Sequence, residues 1–114
     1  SIELARRLKN LGLDLLDVSH GFVVPGVAEV PWGPGFMIPG AARIRREAEV
    51  PVAVGWMITE PQQAESALRD ENLDLVMLAR ELLRNPYWPF HAAQKLGHKG
   101  AGDLLPVQYA RAVD

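Results

Sequence analysis

The sequence predicts an α/β fold built from parallel βα units, and three observations carry that prediction. Short apolar segments of strand length alternate with segments of helical periodicity. VPVAVGWM, residues 50–57, is β-branched and apolar on both faces, the pattern of a parallel strand covered on both sides. GLDLLDVS at 12–19 is echoed by NLDLVMLA at 72–79, two βα units further on. Strands that alternate with helices pair in parallel through right-handed crossovers.

The elements follow in order. Ile2, Ala5, Leu8 and Leu11 recur at near-helical spacing with Arg6, Arg7 and Lys9 between them, which predicts a helix over 2–11. Gly12 supplies its C-cap. LDLLDVS, residues 13–19, is apolar-rich and bounded by glycines, and reads as a buried strand. Residues 20–40 contain Pro25, Pro31, Pro34 and Pro39, which forbid a regular helix through them. Phe22, Trp32 and Phe36 argue against disorder, so this long loop is expected to pack over something. Pro39 stands where a helix can start, with Ala41, Ile44 and Ala48 on one face. Residues 50–57 form the second strand. Thr59 is the expected N-cap of the next helix and Gln62 its capping-box partner. That helix runs to about Asp70 and buries Ala64, Ala67 and Leu68. LDLVMLA, residues 73–79, is the third strand. Asn85 and Pro86 read as an N-cap and N1 proline. The last helix carries Trp88, Phe90, Ala93 and Leu96 and stops at Gly97. The tail, 98–114, has no clear periodicity.

Composition narrows the function classes. The chain has 114 residues, a net charge of −2 and no cysteine. A disulfide framework, a Cys-ligated zinc site and a cysteine nucleophile are therefore excluded. The charge balance speaks against nucleic acid as a partner. No apolar run reaches the ~18 residues of a membrane span, so no membrane partner is expected. SIELARRLKN lacks the apolar stretch of a signal peptide, and a cytoplasmic location is expected.

Repeated βα units build either an open doubly wound sheet or a (β/α)8 barrel. A barrel needs eight strands and roughly 250 residues. Three strands are predicted, and the chain begins within a helix. It therefore reads as the C-terminal part of something larger or as a small flavodoxin-like domain.

In both architectures function collects at the C-terminal ends of the strands. Those ends are Ser19-His20-Gly21, Gly55-Trp56-Met57 and Ala79-Arg80-Glu81. A strand-end glycine lets a ligand approach backbone N–H groups, and an arginine one strand over can grip a phosphate bidentately. Gly55 with Arg80 is thus a candidate phosphate site. Plainer roles stand beside it. Arg80 could pair with Glu81, Gly55 could serve tight packing, and Ser19 could cap a turn. His20 reads as a loop residue, His91 as structural or solvent-facing, and His98 and Lys99 as a solvated loop. Trp56 and Trp88 read as core. Asp14 and Asp17 flank a strand with nothing to complete a catalytic pair.

Taken together, GLDLLDVSHG, VPVAVGWMIT, DLVMLARELLRNPYW and LPVQYAR resemble the C-terminal third of the Old Yellow Enzyme family, in its YqjM-like or xenobiotic-reductase-like branch. The ARELLRNP segment and the QYxR tail are the specific parts. The resemblance implies the C-terminal part of a (β/α)8 barrel, strands six to eight with helices five to eight, and residues 98–114 as a tail. It implies an FMN-dependent NADPH dehydrogenase: NADPH or NADH reduces the flavin, which reduces the C=C bond of an α,β-unsaturated carbonyl compound. An enone or nitro compound is then the substrate, and the N-terminal remainder of the barrel and further copies of the protein are partners.

Carried over by position, the resemblance implies that Ser19 lies near the FMN phosphate and that the Gly55 backbone N–H binds it. Ala79 and Arg80 stand where the family usually has Gly-Arg, the arginine gripping the phosphate. Alanine at 79 would be strained if its φ were positive. Arg111 resembles an arginine that some relatives extend into a neighbouring subunit's active site, although the aromatic residue that often ends that tail is missing. The family's substrate-gripping histidine pair or His-Asn pair, its proton-donor tyrosine and its flavin-tuning residues all lie N-terminal to this segment. The isolated chain is therefore expected to be inactive. The alternatives are a non-catalytic half-barrel or phosphate-ligand-binding module, and another (β/α)8 enzyme with the same phosphate site.

Overall fold

The structure, a computed structural model, describes residues 1–21, 30–110 and 112. It is an α/β arrangement around a small parallel sheet. The first helix, α1 (Ile2–Asn10), buries Ala5, and Gly12 follows it at φ 96°, the left-handed conformation that ends the helix. Strand β1 (Leu16–Val18) comes next. Helix α2 (Ile38–Ala48) has Pro39 in its first turn and buries Ala41, Ala42 and Ala48. The side chain of Arg6 donates from Nε and Nη2 to the Glu47 carbonyl at 3.1 and 2.9 Å, tying α1 to the end of α2.

Strand β2 (Val52–Val54) is central and α3 (Pro61–Arg69) follows it. Strand β3 is short, Leu75–Val76. The strands lie in the order β1-β2-β3, all parallel, with Leu16 opposite Val52, Val18 opposite Val54, and Val54 opposite Val76. Asp74 Oδ2 accepts from the Val52 N–H at 2.8 Å and from Arg45 Nε at 2.7 Å, which ties α2, β2 and the entry to β3 together.

The two faces of the sheet differ. Side chains alternate along a strand, so Val18, Val54 and Val76 share one face and Asp17, Ala53 and Leu75 the other. The first face carries the core: Val18, Val52 and Val54 pack with Ala5, Ala41, Ala42, Ala48 and Ala67 from the three helices. Small alanines let those helices sit close to the strands. On the second face Ala53 is buried, but Asp17 is exposed and Leu75 is 51% exposed. The expectation of burial on both sides thus holds for β2, whereas β1, expected as a buried strand, leaves Asp17 exposed. The Cα radius of gyration is 16.6 Å, above the ~13 Å of a compact domain of about 100 residues.

Several expectations need correction. The paired strands are shorter than 13–19, 50–57 and 73–79: the ladders span Leu16–Val18, Val52–Val54 and Leu75–Val76, with single cross-strand hydrogen bonds such as Asp74 N–H to the Val52 carbonyl beside them. The N-cap of α3 is Glu60 and its partner is Gln63, not Thr59 and Gln62. Pro61 fixes the register: it is tolerated at the first helical position, and it biases the residue before it towards extended backbone. Glu60 is extended at φ −93°, ψ 138°. A short helix absent from the sequence reading, α4 (Arg80–Arg84), follows β3. Asn85 and Pro86 lie in the turn between α4 and α5 (Trp88–Lys95), whose N-cap is Tyr87. The Asn85 carbonyl accepts from the Trp88 N–H at 3.0 Å. Gly97, at φ 73°, lies just past that helix, as expected. The tail contains a 3-10 turn, Ala101–Leu104, and a short helix, α6 (Val107–Ala110). Among the described residues no helix is long and apolar enough to cross a membrane.

Candidate functional site

The three strands end on a cleft of about 600 Å³. Ser19, Gly55, Ala79 and Arg80 all line it. Ser19 directly follows β1 and Gly55 directly follows β2. Ala79 is the N-cap of α4 and Arg80 its first residue. The Met77 N–H donates to the Val54 carbonyl at 2.8 Å, so β2 and β3 stay paired to the point where Gly55 begins. Parallel pairing is what brings these ends together, since residues 36 and 24 positions apart, Ser19 to Gly55 and Gly55 to Ala79, emerge on one side. Arg111 lies outside the described residues.

Gly55 has a negative φ, and a Cβ built on it would meet Met77 O at 3.4 Å and Met77 Cβ at 3.6 Å, ordinary contact distances. Neither backbone conformation nor crowding requires glycine here, which speaks against the tight-packing role. The two residues that follow are strained. Trp56 (φ 68°) and Met57 (φ 53°) are both left-handed, at a cost of about 1–2 kcal/mol each. Such a conformation persists where the surroundings over-determine it. Here the Gly35 N–H donates to the Met57 carbonyl at 3.0 Å. The Trp56 ring lies 5.7 Å from that of Trp32 and 6.2 Å from that of Phe36, which are themselves 5.3 Å apart. Trp56 is therefore a half-buried wall of the cleft rather than core. The described part of the long loop does pack over something, namely this strand-end turn.

Ala79 has φ −119°. Its Cβ is accommodated without left-handed strain, so alanine in place of glycine is tolerated by the backbone. Arg80 is exposed and takes part in none of the ion pairs among the described residues. The plainer reading paired it with Glu81. Glu81 instead binds Arg84, Nη1 to Oε2 at 2.5 Å. The cleft thus holds one internally neutralised Arg–Glu pair, the guanidinium of Arg80, and the Asp17 carboxylate on the open face of the sheet.

Helix α5 buttresses the site from outside. Trp88 Nε1 donates to the Thr59 carbonyl at 2.8 Å and Lys95 Nζ lies 2.7 Å from Glu60 Oε2. Both contacts pin the loop between β2 and α3. His91 is exposed, with Nδ1 3.1 Å from Asn85 Oδ1. His20, His98 and Lys99 are exposed. Among the described residues no cluster of three or more His, Asp or Glu side chains could hold a metal.

Sequence reasoning missed Thr59 and Arg84 as parts of the cleft; it placed Glu81 at a strand end only as a partner for Arg80, and it read Trp56 as core. Arg80 and Arg84 stand at an i, i+4 spacing, so recognising ARELLR as helical would have brought Arg84 to the same side. Nothing in the sequence marks Trp56 and Met57 as left-handed, because neither residue type favours that region.

No family model matches the chain. Curated relatives do. The chain is 48% identical over 110 residues to an NADPH dehydrogenase of Geobacillus thermodenitrificans and 51% identical over 110 residues to an NADPH dehydrogenase of a second Geobacillus strain. It is 48% identical over 111 residues to an NADPH dehydrogenase of Halalkalibacterium halodurans. These alignments cover 96%, 96% and 97% of this chain and 31% of each relative. The chain therefore spans about a third of the length of the curated relatives it matches.

Proposed function

We propose that this chain supplies the FMN-phosphate-binding part of an NAD(P)H oxidoreductase of the Old Yellow Enzyme family, acting on α,β-unsaturated carbonyl or nitro compounds. The observation that carries this reading is the convergence of Ser19, Gly55 and Arg80, which has no ion pair among the described residues, on one cleft at the ends of three parallel strands. The relatives named NADPH dehydrogenase support the nicotinamide part of it.

The donor set suits a phosphate monoester. Arg80 offers two parallel N–H groups to phosphate oxygens, Ser19 a hydroxyl, and Gly55 a backbone amide without a Cβ in front of it. The cleft volume lies within the range of ordinary small-molecule sites. Bound FMN would supply the hydride chemistry between nicotinamide and acceptor. The role of this chain's residues is to anchor the phosphate end, so that the ring system is held at a fixed distance from the strand ends.

Two features of the sheet support a barrel arc. Its strand order is sequential, and its helices cover one face. A doubly wound sheet has both faces covered. The internal repeat adds a geometric argument. It aligns Leu16 with Val76, whereas Val76 shares its row with Val18, a displacement of two residues across two strands. A barrel of eight strands and shear eight has that average stagger. Further βα units would then cover Asp17, Ala53 and Leu75.

Comparing FMN with riboflavin, which lacks the phosphate, isolates this part of the site. The chain is expected to bind FMN more tightly, and Arg80→Ala to weaken FMN binding by roughly tenfold or more while leaving riboflavin unchanged. Unchanged FMN affinity in Arg80→Ala would overturn the assignment.

A further inference from the structure

We infer that Trp32–Phe36 is a positioning clamp for the strand-end turn Gly55–Met57, setting how firmly that turn holds a phosphate group. The inference rests on the phosphate reading above.

The turn needs an external hold. Trp56 and Met57 are consecutive left-handed residues, and neither is glycine. Left alone, such a pair relaxes to negative φ, which would redirect the peptide groups that follow Gly55. Two independent contacts oppose that relaxation, and both come from the same stretch of loop. One is the hydrogen bond from the Gly35 N–H to the Met57 carbonyl, at 3.0 Å. The other is the three-ring contact in which Trp32 and Phe36 flank Trp56. The first fixes the backbone of Met57 and the second fixes the side chain of Trp56.

The loop is shaped for this contact. Gly35 sits at φ 64°, where a side chain would be strained, and an added Cβ would come within 2.7 Å of Ile38 Cδ1. Glycine at 35 therefore lets the N–H reach Met57 at the point where α2 begins. Pro34, its neighbour, lines the cleft. The clamp thus touches the rim of the site and the back of its turn together.

Coupling of this kind is reciprocal. If the docked loop favours the phosphate-competent turn, a ligand that engages the turn must favour the docked loop. Trp32, Gly35 and Phe36 then act on phosphate affinity through the turn. They are positioning residues.

The test uses the isotopically labelled chain, titrated with FMN and with riboflavin. In the parent chain, FMN is expected to slow hydrogen exchange at the Gly35 amide, while riboflavin does not. Trp32→Ala and Gly35→Ala are expected to shift the Trp56 and Met57 amide resonances and to lower FMN affinity about fivefold or more, without a matching loss for riboflavin. Trp32→Phe, which keeps a ring against Trp56, should stay within about twofold of the parent. Full FMN preference in Trp32→Ala and Gly35→Ala, with the Trp56 and Met57 amides unmoved, overturns the clamp. If a variant fails to fold, an unchanged Gly35 exchange rate in the FMN-bound parent chain overturns it equally well. Failure of the underlying phosphate reading looks different: the parent chain would not distinguish FMN from riboflavin, and Arg80→Ala would change nothing.

Discussion

Arg84 Nη1 lies 2.5 Å from Glu81 Oε2 within the single short helix α4, and this pairing leaves Arg80, at the start of that helix, without a carboxylate partner among the described residues. Glu81 is the better covered member, its side chain 19% exposed against 60% for Arg84. The arrangement sets the charge of the cleft. One cation is neutralised in place and the other is available to an anion.

Glu81→Gln is therefore expected to strengthen anion binding. It removes a negative charge next to Arg80 and releases Arg84, so FMN affinity should rise by about two- to fivefold at low salt. Screening shortens to about 3 Å near 1 M salt, and the gain should vanish there. The ion pair itself is largely exposed, so stability should fall by no more than about 1 kcal/mol. FMN titrations at two ionic strengths, with urea unfolding as a control, check both parts. A gain that survives high salt would contradict the electrostatic account.

Gln63→Ala is expected to destabilise the fold, while Gln62→Ala should be near neutral. Gln63 Oε1 accepts from the Thr59 and Glu60 N–H groups at 3.1 and 3.0 Å, completing a capping box with Glu60. Loss of a cap interaction costs about 0.5–2 kcal/mol. Gln62 is exposed and takes no part in the box. Urea denaturation of the two variants, compared at constant m value, separates them. A larger loss in Gln62→Ala than in Gln63→Ala would restore the capping frame that the sequence alone suggested.

That one-residue shift shows what the sequence makes legible and what it hides. The order of helices and strands, the parallel pairing and the burial of β2 follow from periodicity and β-branching, which act over many residues. The convergence of Ser19, Gly55, Ala79 and Arg80 follows from topology, because parallel strands deliver their ends to one side. Cap positions turn on single residues: a Thr-based box competed with Pro61, and the proline determined the frame. The short helix α4 was hidden because five residues carry too little periodicity, and its two arginines look like an ordinary charged loop. The left-handed Trp56–Met57 turn was hidden more deeply. Its conformation is imposed by Gly35, Trp32 and Phe36, some twenty residues away in the chain, and not by its own residue types. The open face of the sheet is not legible in the sequence, because exposed Leu75 is as apolar as the buried residues of β2.

Glu47 makes acid stability a local test. Its carboxylate accepts from Arg43 Nε at 2.7 Å. That hydrogen bond holds its pKa below the ordinary value of 4.5; burial opposes the shift, and the charges of Arg43, Arg46 and Arg6 reinforce it. The folded-state value is thus below the unfolded one. The stabilising contribution is present above about 4.5 and is lost as pH falls through the folded value. Glu47→Gln should be less stable than the parent at neutral pH, and the gap should close in acid. Denaturant midpoints at about pH 7 and about pH 3 measure it. A gap of constant size would mean that the charge of Glu47 contributes nothing.

The open face and free strand edges predict how the isolated chain behaves in solution. Leu75 and Asp17 are exposed on a face whose central residue, Ala53, is buried. Among the described residues β1 and β3 each pair with β2 alone, so each leaves one edge of backbone groups without a strand partner. Unpaired edges are templates for pairing with another chain, and exposed apolar side chains beside them strengthen the tendency. The chain is therefore expected to associate as its concentration rises, with sedimentation coefficients that increase across a dilution series. Leu75→Lys should weaken that association, because an edge lysine carries a charge that is costly to bury against a second sheet. A charge at residue 99 offers the contrast: Lys99→Glu changes an exposed tail residue away from the sheet and should leave association unaltered. Sedimentation velocity on the three proteins decides the matter. A parent chain that stays monomeric at high concentration, or a Leu75→Lys variant that associates as strongly as the parent, would show that the open face is not the adhesive surface.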